Sequence, residues 1–363
     1  MTQNQASASF HFDKLAIWRT KLPQARHTVL PPSNNRPNPV VTDTMVYVSV
    51  FSPGAVYALE RQTGRIVWHR EIPKFGSSAV HLAQGKLFAK TANTLLALEP
   101  ETGKTIWSFC PYGDSGESMY SAPTLHRNSV FIGDRCGYLH CLDSGTGQPR
   151  WKKRTNKAKN DDVNSTPVVS KALVIVGTNA KMAAAYDATT GKRAWIRKLD
   201  GPSTFGPLLF RSLLGVVTNS IYLIRPDSGK VVRRFSWKDD GVSQAECTHT
   251  GIVAILRGSS PDGNVTLVSL NENGVRFTEV CRAFVAFLRY VRETRLIYIS
   301  HLEGIDLRHP KSGVLLCKIE RSDIPEGSSL VDVKQNTIYA LTGDGNVYAL
   351  RHPNVRNEMT NNP

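Results

Sequence analysis

No stretch of this 363-residue chain is apolar enough, for long enough, to predict a membrane span. Its first ten residues, Met1 to Phe10, carry neither a basic leader nor an apolar core, so neither a signal peptide nor a lipidation box is expected. No segment sustains a 3.6-residue apolar period, which argues against a helical bundle. The six cysteines include no adjacent pair, and most lie inside strand-like patterns, as small buried hydrophobes do. This usage fits a reducing compartment, so the expected location is cytoplasmic, or periplasmic if the chain is a trimmed mature form. Acidic residues are scarce: 30 Asp and Glu stand against 45 Lys and Arg, for a net charge of +15. Such a field favours anionic partners.

What the chain does have is a turn followed by a tryptophan, repeated. Ala58-Leu59-Glu60-Arg61-Gln62-Thr63-Gly64 leads to Trp68. The pattern returns at Gly103 with Trp107, Gly147 with Trp151 and Gly191 with Trp195. It decays later: Arg233 holds the tryptophan slot after Gly229, Phe277 or Thr278 after Gly274, and Cys317 after Gly313. These glycines are 38 to 45 residues apart, the length of one four-stranded propeller blade. Within each unit, alternating β-branched and aromatic residues run between turn signals, as strands do. Pro39, Pro123, Pro167 and Pro207 recur at the first strand of their units. Proline cannot donate to a ladder, so these mark an edge strand, here the one facing a central channel. Each turn glycine is expected to supply positive φ, and each tryptophan to fill the gap between blades.

The two ends complete the count. The last unit stops at Val347-Tyr348-Ala349-Leu350 with no tryptophan strand after it. The chain opens with a tryptophan strand, Leu15-Ala16-Ile17-Trp18-Arg19, that has nothing before it. Joining the two closes the ring and removes an open sheet edge. The predicted fold is therefore all-β: an eight-bladed β-propeller of four-stranded antiparallel blades, closed by the N-terminal strand completing the last blade. Residues 1–13 are expected to form a leader, 14–353 a single domain, and 354–363 a disordered tail.

The repeat resembles the pyrroloquinoline-quinone-type (PQQ-like) propeller repeat. Ala185-Tyr186-Asp187-Ala188-Thr189-Thr190-Gly191, with Trp195, is close to that consensus. The resemblance runs from about Leu15 to Leu350. It implies one of two kinds of protein: the larger quinoprotein dehydrogenases, or non-enzymatic scaffolds of the BamB type. Length and blade number resemble the second kind more. The dehydrogenases share an adjacent cysteine pair and a calcium site with a catalytic aspartate, and neither is recognisable in this sequence.

Other chemical signals are weak. Gly113-Asp114-Ser115-Gly116 copies a protease nucleophile loop without its His and Asp context. Thr102-Gly103-Lys104-Thr105 ends like a phosphate loop, but Leu98 stands where the first glycine belongs. Cys247 with His249, and His140 with Cys141, lack a four-ligand spacing. No catalytic residue, metal ligand or cofactor is predicted. The densest basic cluster is Arg150, Lys152, Lys153, Arg154, Lys157 and Lys159, a candidate contact for a protein or anionic partner. It lacks the interleaved aromatics of a nucleic-acid module. The expected function is a monomeric, non-catalytic scaffold for protein–protein interaction. A polyanion- or nucleic-acid-binding propeller is the first alternative, and a quinone-dependent enzyme the second.

Overall fold

The computed structural model describes residues 8–23, 39–50, 54–72, 80–91, 93–112, 121–155, 162–203, 205–238, 240–257, 264–282, 287–301, 303–320 and 330–353. They form eight antiparallel sheets in sequence order. Blades 1 to 7 occupy residues 40–71, 80–109, 124–154, 168–198, 208–235, 241–282 and 287–320. Blade 8 takes three strands from residues 330–351 and its outermost from Ala16–Lys21, with Trp18 opposite Ala349. Ring closure by the N-terminal strand is thus observed. The innermost strands of blades 1, 3, 4 and 5 begin at Val40, Thr124, Val168 and Leu208, each directly after one of the four recurring prolines.

Burial follows the radius of each blade. The two middle strands are buried on both faces, as in Ala55–Glu60 and Met182–Asp187. Small residues such as Ala183, Ala184 and Ala185 let neighbouring sheets approach there. Blades diverge outward like wedges, so the outer gap needs a large side chain. The tryptophans supply it. Each lies against the turn glycine of the following blade: Trp18 on Gly64, Trp68 on Gly103, Trp107 on Gly147, Trp151 on Gly191 and Trp195 on Gly229. Each indole N–H also donates to a carbonyl of that turn, to Arg61, Pro100, Ser144, Ala188 and Pro226, at 2.8 to 3.2 Å. These glycines have φ of +66 to +73°, and a Cβ on Gly147 would stand 2.6 Å from the Trp107 ring.

Where the tryptophan is missing, the clasp is rebuilt. Arg233 donates through Nη1 to the Glu272 carbonyl at 3.1 Å. In blade 6 the hairpin is tighter, and Phe277 takes the slot with its ring on Gly313. At Cys317 no clasp is possible, because the next blade is the composite one and has no outer hairpin to hold. Ala8–His11 fill that place, pairing in parallel with Leu315–Glu320 as a fifth strand, Ala8 opposite Cys317. Phe12, in the short helix Phe12–Leu15, is buried against Tyr348 at 5.5 Å. Residues 8–13, expected to be leader, are therefore part of the blade 7 to blade 8 junction. The tail at 354–363 lies outside the described residues.

Trp107→Ala should lower the unfolding free energy by about 3–5 kcal/mol. Gly147→Ala should lower it by roughly 2–4 kcal/mol, from the positive φ and the contact with the ring. The double variant should lose less than the sum, because removing the ring makes room for the methyl. Urea denaturation of the four proteins measures all three quantities.

Candidate functional site

Antiparallel strands running outward in every blade place two sets of turns on one face of the ring. These are the hairpins between the first and second strands and the glycine turns between the third and fourth. They join neighbouring blades: Arg211 Nη1 reaches Glu272 Oε1 at 2.6 Å, and Arg61 Nη2 reaches Gln335 Oε1 at 2.7 Å. On this face, over blades 4 to 6, lies a cavity of about 900 Å³. Its apolar lining includes Leu173, Leu209, Phe210 and Val232, and Lys171 and Arg225 border it. Leu209 and Val232 are 42% and 46% exposed; residues beside the tryptophan slot of other blades, such as Ile17, Val67 and Ile106, are exposed to a similar degree, so it is the cavity they line that sets these two apart. An open apolar floor with a charged border suits an amphipathic partner surface.

The predicted basic cluster lies elsewhere, on the outermost strand of blade 3, Pro149–Arg154. Strand alternation divides it. Lys153 lies against Gly191 of blade 4, beside Trp151. Arg150 is held by Asp143 at 2.5 Å and by Ser129 Oγ at 2.9 Å. Lys152 sits 3.9 Å from the centre of the Tyr138 ring and donates to the Tyr112 hydroxyl at 3.3 Å. Arg154 stacks over Tyr138 at 5.8 Å. Lys157 and Lys159 lie outside the described residues, as does Gly113-Asp114-Ser115-Gly116.

Sequence reasoning missed a buried polar cluster beside that strand. Asp134 follows the second strand of blade 3, where blades 2, 4, 5 and 8 have Thr91, Thr178, Thr218 and Thr342. Asp134 Oδ2 bonds His140 Nε2 at 2.5 Å and accepts from the Tyr112 hydroxyl at 2.6 Å. Its Oδ1 accepts from the Tyr138 amide at 2.9 Å. Burial pushes the Asp134 carboxyl up, but these bonds together outweigh it and hold the group below the usual carboxylate value. In blade 7, His301 and Arg308 bracket buried Asp306 at 3.2 and 2.9 Å, with the same net direction. A departure from the repeat's threonine was the available signal for Asp134. Both clusters tie strands together through partnered groups, a structural arrangement.

The remaining chemistry is sparse. Burial raises the thiols of Cys141 and Cys281, and takes Cys247 up to about 12, so these are poor nucleophiles at neutral pH. His249 bonds the Tyr290 hydroxyl at 2.6 Å. Among the described residues, no three His, Cys, Asp or Glu side chains are grouped to hold a metal, and no helix is long and apolar enough to cross a membrane.

A closed ring of eight four-stranded blades, clasped by tryptophan on glycine, defines the class: a PQQ-like β-propeller. Within that class, the chain belongs to the family described as outer membrane protein assembly factor BamB, whose profile matches residues 14–235. A BamB of Yersinia pestis is 31% identical over 111 residues, 30% of this chain and 27% of that protein. A polyvinylalcohol dehydrogenase of a Pseudomonas species is 28% identical over 155 residues, 36% of this chain and 24% of that enzyme. The matched segments thus span about a quarter of the length of each of these two relatives. Among solved structures, BamB from Moraxella catarrhalis is 17% identical with a TM-score of 0.55, covering 93% of this chain and 99% of that one. Quinohemoprotein alcohol dehydrogenase from Comamonas testosteroni is 13% identical with a TM-score of 0.71, covering 93% and 76%. These structural likenesses establish the fold. The BamB relatives are named for outer membrane protein assembly, which gives the cytoplasmic expectation no support.

Asp134→Ala should cost about 3–5 kcal/mol of stability at neutral pH, because His140 and Tyr112 lose a buried partner. A depressed folded pKa gives stabilisation that is complete above the ordinary carboxylate value of 3.8 and lost as pH falls through the folded value. The stability gap between wild type and D134A, followed by denaturation from neutral to acid pH, should therefore narrow only below that value.

Proposed function

We propose that this protein is a non-catalytic scaffold that holds a partner protein within a larger assembly, using the turn-bearing face of blades 4 to 6. The observation that carries this reading is the cavity of about 900 Å³ that gathers exposed Leu209 and Val232 with Leu173 under a border of Lys171 and Arg225. Family membership supports it, since the matching family and the BamB relatives are named as an assembly factor. The compartment proposed is the periplasm, on the strength of that same name. The ring is proposed to act as a monomer.

The polyanion reading, placed on Arg150–Lys159, is weaker. Arg150 is committed to Asp143, and Lys152 to two tyrosines. Alanine at Lys152, Lys153 and Arg154 should leave partner affinity within about threefold, as for exposed charges of small individual effect. The dehydrogenase relative keeps an enzyme reading open. A quinone chromophore in purified native protein would favour that reading over the scaffold.

The test of the scaffold is native purification from the source cell, with and without nuclease. A stoichiometric protein should co-elute and survive nuclease. It should be lost with Leu209→Asp combined with Val232→Asp, two exposed changes that should leave the fold intact. Recovery of no protein, or of nuclease-sensitive material only, would remove the scaffold reading.

A further inference from the structure

The glycine turns of blades 1 to 4 all begin with an acid: Glu60, Glu99, Asp143 and Asp187. Each works locally. Asp143 Oδ1 accepts from the amides of Gly145 and Thr146, both at 2.9 Å. Asp187 Oδ1 accepts from those of Thr189 and Thr190 at 3.1 and 2.7 Å. Glu60 and Glu99 take the hydroxyls of Thr63 and Thr102. In blades 5, 6 and 7 the same position holds Arg225, Asn271 and His309. The backbone of the turn is kept in blades 5 and 7, with Gly229 N bonded to Arg225 O at 2.9 Å and Gly313 N to His309 O at 2.8 Å. Arginine cannot accept the turn amides. A local stabiliser has been exchanged for the opposite charge without changing the turn.

Further cations gather on the same arc. Lys171 and Arg295 occupy the inner hairpins of blades 4 and 7 at φ of +54° and +57°, the conformation that Gln84, Arg127, Arg211 and Gln335 adopt in the inner hairpins of other blades. Lys311 lies in the blade 7 turn. Thr250 draws blades 6 and 7 together here by donating its hydroxyl to Pro310 O at 3.4 Å, while its carbonyl accepts from Arg276 Nη1 of its own blade at 3.4 Å. After burial, the fields of Arg295, Lys311 and Arg276 push His249 below its ordinary pKa. The acids on this arc are Asp227, Glu293 and Glu272, the last held by Arg211. Arg276, Arg295 and Lys311 lie beyond residue 235, where the family match ends, whereas Lys171 and Arg225 lie within it.

We infer that this cationic arc and the cavity beside it bind an acidic, leucine-bearing segment of a partner protein. The inference deepens the scaffold reading and rests on it. Apolar floor and basic border lie together, which matches a segment carrying carboxylates between aliphatic side chains. Single-stranded nucleic acid needs exposed aromatic faces for its bases. Phe210 is buried here, and Trp195 is committed to its clasp.

The test uses a fluorescein-labelled dodecapeptide of repeated Glu-Glu-Leu, followed by polarisation at physiological salt. The arc variant is K171E/R225E/R295E/K311E. The control, R65E/K104E/R127E/K198E, makes the same change in net charge with equally exposed residues outside the arc. The arc variant should bind about 30-fold more weakly and the control within about threefold of wild type. A Gln-Gln-Leu peptide should bind at least about tenfold more weakly than the acidic one. Equal losses in both variants, no peptide binding, or tighter binding of an oligothymidylate of the same length would each overturn the inference. A cellular partner recovered equally by wild type and arc variant would leave the scaffold reading standing and remove this one. No recovered partner would remove the scaffold reading and this inference with it.

Discussion

The indole of one blade lying on the turn glycine of the next is the interaction on which the rest of this ring depends. A propeller blade is a twisted sheet that must pack on both faces, and blades set around an axis separate with radius. The inner gap closes on alanine and valine, whereas the outer gap needs a broad, flat side chain. Tryptophan fills it and donates its N–H to the neighbouring turn, so the largest apolar contact and a directional bond act at one point. The glycine is required for two reasons at once: its φ is positive, and a Cβ would collide with the ring. The contact therefore sets both the spacing and the relative tilt of adjacent blades.

The exceptions follow from the same constraint. An arginine can replace the indole where only the hydrogen bond is kept, as at Arg233. A phenylalanine can replace it where only the apolar contact is kept, as at Phe277. At the closure, where no hairpin joins the third and fourth strands because they come from Asn346–Arg351 and Ala16–Lys21, a parallel strand and Phe12 cover the gap instead. With the frame held at the outer radius, turn residues are free to vary, and blades 5 to 7 use that freedom to carry charge.

Much of the architecture was legible in the chain. Thr-Gly turns, tryptophans and prolines at regular intervals gave blade number, strand order and ring closure, because each of those residues answers a local steric demand. The candidate face was not legible. Lys171, Arg225, Arg295 and Lys311 are separated by long stretches of sequence and form no run. The run that does exist, Arg150 to Arg154, is divided by strand alternation, and its members pair with Asp143 or lie over Tyr112 and Tyr138. Proximity in sequence drew attention to that run and gave no sign of the other group.

By itself, then, the sequence determined the repeat and with it the fold, since hairpin glycines and edge prolines act over a few residues. Tertiary structure alone decided which tryptophan meets which glycine, how Ala8–His11 join blade 7, and which cations share a face with Leu209 and Val232. The physical reason is that a ring carries the same turn of every blade to one side. Positions some forty residues apart become neighbours there, and no local pattern in the chain records that adjacency.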